Sequence, residues 1–229
     1  MKRVFLFWAV LCISAYVSAQ NVQLHYDLGE GRKFLTSTVE MFKPDKYGST
    51  FFFIDMDYSS DVRNIDDGIS LAYWEIARAF KWNENQQVMP RVEYNGGVFK
   101  LDGAGASFIP INNCWLVGLE KTWASADFSK IFTLQGNYKY IKNKEDASFQ
   151  ITAVWVVQLL EGKLTFTGFA DFWKEKMDFW GTNYRFLSEP QLWYNVCPHF
   201  SAGGEIELSN NFVGDKFFVS PTLGVKYTF

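Results

Sequence analysis

The last fourteen residues of the chain, 216–229, alternate between two kinds of side chain. One set is mostly polar or small, and the other is almost wholly apolar: Phe217, Val219, Pro221, Leu223, Val225, Tyr227 and Phe229. A period of two residues is typical of a β-strand with one apolar face. Because this strand ends on an aromatic residue, as the closing strand of an outer-membrane barrel does, we expect the preceding chain to supply a barrel for it to close.

The composition suits such a barrel and argues against a helical membrane protein. Aromatic residues make up 19% of the chain and charged residues 21%, and the mean hydropathy is only −0.10. After residue 19, no apolar run approaches the ~20 residues that a spanning helix needs. An even mixture of apolar and polar residues is typical of strands that face lipid on one side and water on the other.

The first nineteen residues have the pattern of a signal peptide. Lys2 and Arg3 precede an apolar stretch, 4–15, and Val17-Ser18-Ala19 fits a cleavage site. We therefore predict a signal peptide over 1–19 and a barrel domain over 20–229. A lipoprotein signal at Cys12 is disfavoured because the residue before it, Leu11, is bulky.

Charge and cysteine content exclude some functions of the exported chain. Removal of Lys2 and Arg3 would change the formal net charge from −3 to −5, and no basic stripe suggests a nucleic-acid partner. Cys114 and Cys197 would remain in an oxidising compartment. They fall on predicted strands that are not neighbours, so two unpaired thiols are favoured over a disulfide.

Strand-like segments separated by turn clusters run through the whole domain. We predict twelve of them, at 21–28, 34–42, 49–58, 69–82, 88–95, 113–124, 130–141, 147–159, 163–173, 182–196, 200–208 and 216–229. Connections after the even-numbered strands are mostly tight, and the longest, 96–112, follows an odd-numbered strand. An even strand number with short turns on one side predicts an all-β fold, a transmembrane antiparallel up-and-down β-barrel of about 12 strands in the outer membrane of a Gram-negative bacterium.

The fourth segment, 69–82, is the least regular, and a helix is a rival there. Arg78 interrupts its apolar set, and a charge facing the middle of the bilayer costs about 2–4 kcal/mol. We therefore expect either a bulge or a rim position at Arg78.

Aromatic residues near the predicted strand ends could form the interfacial girdles of a membrane barrel. They are Tyr47, Tyr58, Trp82, Trp123, Phe128, Trp180, Tyr184, Phe200 and Phe229. A secreted, soluble barrel or sandwich would show the same period of two, but the aromatic content, the terminal Phe229 and the alternation of the connections favour the membrane barrel.

If the apolar faces meet lipid, the opposite faces line a lumen that is polar with an acidic excess. The candidate solute-binding residues are Phe51, Phe53, Asp55, Asp57, Tyr73, Glu75, Arg91, Glu93, Lys139, Asp171, Trp173, Glu205 and Glu207. For any one of them the simplest interpretation is an ion pair or hydrogen bond that fills the barrel. The alternative is a narrow pore whose aromatic rings stack on a flat solute while polar groups bind a sugar or base edge.

Neither catalysis nor a bound cofactor is expected. The two histidines, His25 and His199, fall on a strand and in a turn, and no Gly-x-Ser-x-Gly sequence is present. A lipid hydrolase based on either histidine is the weakest hypothesis. No acidic loop matches an EF-hand, and Gly103-Ala104-Gly105-Ala106 is interpreted as an external loop or plug, not a nucleotide loop.

The chain resembles the nucleoside-specific, Tsx-like family of outer-membrane channels. The resemblance rests on the leader, the strand count, the run from Tyr47 through Trp82 with its Thr50-Phe51-Phe52-Phe53-Ile54-Asp55-Met56-Asp57 segment, and the closing Gly224-Val225-Lys226-Tyr227-Thr228-Phe229. It implies passive uptake of nucleosides or similar small solutes, and it carries over no individual binding residue.

Three functional hypotheses follow. The first is a passive channel for small solutes, with nucleosides as candidates; the second is a filled structural or adhesive barrel; the third is the lipid hydrolase. The expected partners are outer-membrane lipid and lipopolysaccharide, the solute, and the barrel assembly machinery acting through the C-terminal strand.

Overall fold

A computed structural model describes residues 19–61, 65–100, 107–177 and 181–229. Two predicted features lie outside the described residues: the loop sequence Gly103-Ala104-Gly105-Ala106 and the girdle residue Trp180. The predicted signal peptide also lies outside them, except for its last residue, Ala19. No helix in the described part of the chain has the length and hydropathy of a membrane-spanning segment.

Thirteen strands make up a single antiparallel sheet. They are β1 (Ala19–Asp27), β2 (Leu35–Asp45), β3 (Gly48–Ser60), β4 (Ile65–Phe80), β5 (Val88–Phe99), β6 (Ile109–Ala124), β7 (Lys130–Ile141), β8 (Ser148–Leu159), β9 (Leu164–Met177), β10 (Thr182–Ser188), β11 (Gln191–Cys197), β12 (Phe200–Asn210) and β13 (Phe217–Thr228).

β10 and β11 are two halves of one spanning strand. Ser188 pairs with Ala170 and Gln191 with Thr167, so the register with β9 continues unchanged across the gap. The interruption falls at Pro190, which has no N–H to donate to a ladder. The barrel therefore has twelve spanning strands, as predicted.

Pairing of the last strand with the first closes the barrel. Asn21 lies opposite Thr228 and Asp27 opposite Thr222, and β13 also pairs with β12 along its length. Closure removes every sheet edge, which a β-structure in lipid requires because hydrocarbon offers no hydrogen bonds to open backbone groups.

The connections alternate less strongly than the sequence predicts. β2 and β3, and also β11 and β12, are joined by only two residues, 46–47 and 198–199. The predicted long loop 96–112 is shorter, because β5 extends to Phe99 and β6 begins at Ile109. Gly48 makes one tight turn possible, since its φ is +131° and a Cβ there would lie 2.0 Å from the carbonyl oxygen of Ala79.

Segment 69–82 is a strand, and the helix alternative is wrong. Arg78 pairs regularly with Thr50 and Val92, so it does not lie on a bulge. It lies two residues before the end of β4 and forms an ion pair of 2.6 Å with Asp45 near the adjoining turn. The rim position is therefore correct.

Polar and apolar side chains alternate along most of the barrel wall. On β7, Gln135, Asn137 and Lys139 are 5–7% exposed, whereas Leu134 is 42% and Tyr138 56% exposed. The buried set is polar and the exposed set apolar, which is the reverse of a soluble protein and the arrangement of a barrel in lipid. Most predicted girdle residues lie on the exposed surface: Tyr47, Trp82, Trp123, Phe128, Tyr184, Phe200 and Phe229. Tyr58 is half-buried, and its hydroxyl is 2.9 Å from Ser37 Oγ.

Candidate functional site: the inner wall of the barrel

The thirteen predicted site residues all lie on the inner face of the wall. Phe51, Phe53, Asp55 and Asp57 come from β3, and Tyr73 and Glu75 from β4. The others are Arg91 and Glu93 on β5, Lys139 on β7, Asp171 and Trp173 on β9, and Glu205 and Glu207 on β12. Because successive side chains of a β-strand point to opposite faces, the residues at every second position of each strand point into the barrel together.

Six of these residues form one cluster on β3 and β4, which we call the aromatic–acidic wall: Phe51, Phe53, Asp55, Asp57, Tyr73 and Glu75. The ring centroids of Phe51 and Phe53 are 6.0 Å apart, and those of Phe53 and Tyr73 are 5.9 Å apart. The Tyr73 hydroxyl donates to Glu75 Oε1 at 2.8 Å. All six side chains are half-buried, so they keep surface that faces the barrel interior.

Threonines on β2 hold the carboxylates of this cluster in place. Thr36 Oγ1 donates to Asp57 at 2.7 Å, and Thr38 Oγ1 donates to Asp55 at 2.5 Å. Each threonine lies directly opposite its aspartate in the β2–β3 ladder. The cluster is therefore pre-organised by cross-strand neighbours and leaves the remaining carboxylate lone pairs toward the interior.

A buried ion-pair group lies on β5 and β6. Arg91 contacts Glu93 on its own strand and Glu120 at 3.2 Å on β6. All three side chains are less than a tenth exposed. Asn95 extends this group toward the aromatic–acidic wall by donating to Glu75 Oε1 at 3.1 Å.

The opposite part of the wall combines a lysine with an indole. Lys139 Nζ donates to Gln150 Oε1 at 2.7 Å and lies 4.7 Å from the ring centroid of Trp173. Thr152 donates to Asp171 at 2.5 Å. These contacts fix side chains of β7, β8 and β9 by hydrogen bonds and a cation–π contact.

Lys226 does not have the neighbours that the sequence suggests. The alternation of β13 places Lys226 on the inner face, and β13 neighbours the strand that carries Glu205 and Glu207, but the Lys226 Nζ lies 4.4 Å from the ring centroid of the fully buried Trp193. Lys226 pairs with Ser201 on β12, whereas Glu207 pairs with Ser220. Because Lys226 is six residues from Ser220 along β13, it lies at a different level of the barrel.

Arg32 is a functional candidate that sequence reasoning missed, because it belongs to a loop. It follows β1 and turns back onto the inner face, with Nε 2.5 Å from Asp27 and Nη1 3.0 Å from Glu207. Burial alone would lower the pKa of the Arg32 guanidinium, but the Glu207 and Asp27 carboxylates outweigh burial and raise that pKa. Arg32 therefore stays charged where it joins β1 to β12.

Three other inward residues were also missed: Glu120, Glu189 and Trp193. Glu120 had a visible signal, because it follows Leu116 by four residues on β6 and so falls on the same, inward face of the strand. Pro190 obscured the alternation of Glu189 and Trp193, so their faces could not be assigned.

The two histidines have structural partners. His25 Nδ1 is 2.8 Å from Thr222 Oγ1, and Nε2 is 3.0 Å from Gln23 Oε1. His199 Nδ1 is 2.8 Å from the backbone oxygen of Thr228. Among the described residues, neither ring contacts a serine or cysteine that it could activate as a nucleophile, and no group of three or more metal-ligating side chains is found.

The cysteines are unpaired in the described structure. Cys114 is half-buried on the inner face, and Cys197 is exposed at the end of β11. Two unpaired thiols agree with the interpretation of the sequence, but the exposed position of Cys197 was not expected.

Comparison with solved structures identifies porins of the same fold. The NanC porin aligns with a TM-score of 0.59 at 12% identity, covering 92% of this chain and 100% of that one. The KdgM porin aligns with a TM-score of 0.55, also at 12% identity, covering 93% and 99%. Together with the apolar exterior, this fold makes the chain an outer-membrane β-barrel.

A protein-family model described as "Domain of unknown function (DUF5020)" matches residues 19–229. No curated protein matches the sequence.

Proposed function

The chain belongs to the DUF5020 family, and we propose that it is a passive outer-membrane channel for small solutes, with nucleoside-like solutes as its preferred cargo. The observation that carries this proposal is the aromatic–acidic wall. Its three rings and three carboxylates remain half-buried, whereas the inward side chains of β1 and β7 are almost fully buried. This difference favours a solute path along β3 and β4.

The chemistry of the wall suits a flat, polar solute. The faces of Phe51, Phe53 and Tyr73 offer stacking surface, which is worth about 1–3 kcal/mol for each nucleobase in binding proteins. The carboxylates of Asp55, Asp57 and Glu75 accept hydrogen bonds from sugar hydroxyls or exocyclic amines. Passage requires contacts that are weak enough for release, which a row of separate contacts provides.

Planar-bilayer recording and liposome uptake test this proposal. We expect discrete channel events and uptake of uridine or adenosine faster than that of an uncharged sugar of similar size. Channel events without a nucleoside preference would leave a general small-solute channel. The absence of both events and uptake would support the filled structural or adhesive barrel.

The lipid-hydrolase hypothesis makes a separate prediction. It requires phospholipid hydrolysis that is lost in His25→Ala or His199→Ala. We expect no hydrolysis, because His199 is bound to a backbone oxygen and the Thr222 hydroxyl beside His25 is held in the seam between β13 and β1, where it also accepts from the Glu205 N–H.

A further inference from the structure

The charges that project into the barrel are strongly unbalanced. Among the residues whose side chains the structure describes, six cations point inward or close the mouth: Arg32, Arg91, Lys139, Lys144, Arg185 and Lys226. Twelve carboxylates share that space: Asp27, Glu40, Asp55, Asp57, Glu75, Glu93, Glu120, Asp171, Glu175, Glu189, Glu205 and Glu207. The described inner wall therefore carries twice as many carboxylates as basic groups.

The carboxylates come together from strands that are not neighbours. Glu189, between β10 and β11, is in electrostatic range of Glu205 on β12 and of Asp55 on β3. Three strands, β13, β1 and β2, separate β3 from β12 along the shorter way round the wall. These three side chains therefore approach one another across the lumen, and we call them the cross-lumen carboxylates.

Two of the cross-lumen carboxylates accept hydrogen bonds from neutral partners. Asp55 accepts from Thr38, and Glu205 accepts from Gln191 Nε2 at 2.7 Å. No described side chain donates a hydrogen bond to the Glu189 carboxylate or forms a close ion pair with it. None of the three is therefore paired with a basic side chain in the described structure.

A second observation points independently to a missing partner. Glu93 is only 3% exposed, and its Oε1 has no hydrogen-bond partner among the described residues. The buried Asn95 Oδ1, two residues along β5, also lacks one. Glu93 is in electrostatic range of Glu75 on β4 and Asp171 on β9, so these orphaned acceptors belong to the same acidic interior. Arg91 Nε, a donor in the same group, is also unpaired among the described residues, so these atoms indicate room for a further polar partner such as a water molecule or an ion.

We propose that the channel selects for cations over anions, and that the cross-lumen carboxylates set this selectivity. This inference rests on the proposed channel function and adds a charge selectivity to it. Rings of Asp and Glu select cations in pores, and walls of one sign concentrate counter-ions. The neighbouring Phe51, Phe53 and Tyr73 rings add attraction for a cation through cation–π contacts.

The test is the reversal potential of the purified, folded barrel in a KCl gradient across a planar bilayer. We expect potassium to permeate over chloride by about tenfold near 0.1 M salt. The preference should weaken at 1 M, where the screening length falls from about 10 Å to about 3 Å. The triple variant Asp55→Asn, Glu189→Gln, Glu205→Gln should lose most of the preference.

A matched control changes charge outside the lumen. Glu84→Gln with Glu161→Gln neutralises two exposed turn residues and should leave the reversal potential unchanged. A heat-modifiable gel shift checks that each variant is folded. The inference would be overturned by channel events that are unselective or anion-selective, or by a triple variant that is as selective as the parent. In either case the proposed channel function would still stand. A barrel with no channel events would instead overturn the channel function, and the inference with it.

Discussion

Thr222 Oγ1 lies 2.8 Å from His25 Nδ1 and joins β13 to β1 across the closing seam. Thr222 also accepts from the backbone N–H of Glu205 at 3.0 Å, so its hydroxyl proton is free to be donated to His25. His25 Nε2 then donates to Gln23, which donates to Asn21, and Asn21 donates to Glu40. One continuous chain of hydrogen bonds thus links β12, β13, β1 and β2.

Breaking this seam should destabilise the closed barrel. Thr222→Val leaves a buried His25 nitrogen without a partner, which costs about 1–3 kcal/mol. Urea unfolding of the barrel in lipid vesicles measures the loss, and a double-mutant cycle with His25→Ala isolates the pair. The exposed pair Thr122–Thr133, 2.8 Å apart, is the control: Thr122→Val should cost much less. Equal losses at both sites would contradict a special role for the seam.

A buried ion pair and a more exposed one should differ in how much stability is lost when the arginine is replaced by alanine. Arg91→Ala leaves Glu93 and Glu120 buried without their cation and should cost about 3–5 kcal/mol. Arg78→Ala breaks the more exposed pair with Asp45 and should cost about 0–1 kcal/mol. The same unfolding measurement compares them, and a larger loss for Arg78 would show that the assignment of inner and outer faces is wrong.

A positive charge on the outer face should be costly only at mid-height. Leu134 is exposed near the middle of β7, and Trp123 is exposed next to the end of β6. Placing the charge in lipid should lower the free energy of unfolding by about 2–4 kcal/mol in Leu134→Arg and by about 0–1 kcal/mol in Trp123→Arg. Folding equilibria in vesicles test this. Similar costs at the two positions would mean that the lipid belt has been placed incorrectly.

Removing a ring from the aromatic–acidic wall should weaken solute selection without weakening the barrel. We expect Phe51→Ala or Phe53→Ala to reduce nucleoside binding about tenfold, which corresponds to about 1.4 kcal/mol of stacking. Competition of nucleosides with the single-channel current measures it. Phe52, between them, is on the outer face opposite Met41 and Ile76. Phe52→Ala should leave nucleoside block unchanged, and an equal effect there would argue against stacking in the lumen.

The two thiols should differ in reactivity. Cys197 is exposed at a strand end, whereas Cys114 is half-buried on the inner face with Sγ 3.5 Å from the Asn112 carbonyl oxygen. A water-soluble maleimide should label Cys197 rapidly and Cys114 slowly, and both at one rate after unfolding. Mass spectrometry with Cys114→Ser and Cys197→Ser variants assigns the sites. A disulfide between them in the folded protein would contradict the strand order.

The wall of the barrel was predictable from alternation, and its interior was predictable only in part. Residues such as Asp55 and Lys139 fall in strands with a clear period of two, so their inward direction followed from their neighbours. Arg32 could not be found this way, because a loop has no periodicity and its position depends on Asp27 and Glu207 of two distant segments. Lys226 shows a different limit: alternation gives the face on which a residue lies, whereas its neighbours on the next strand depend on the pairing register, which sets Lys226 opposite Ser201.

The interruption at Pro190 has a consequence for engineering. The local ladder is kept by Glu189 N–H to the Phe169 oxygen at 3.1 Å and by Ile206 N–H to the Pro190 oxygen at 3.0 Å, and Gly168 allows the close approach there. None of these bonds uses the Glu189 side chain. Position 189 is therefore where the interior charge can be neutralised, reversed or replaced by a reporter group with the least disturbance to the hydrogen bonds that hold the barrel closed.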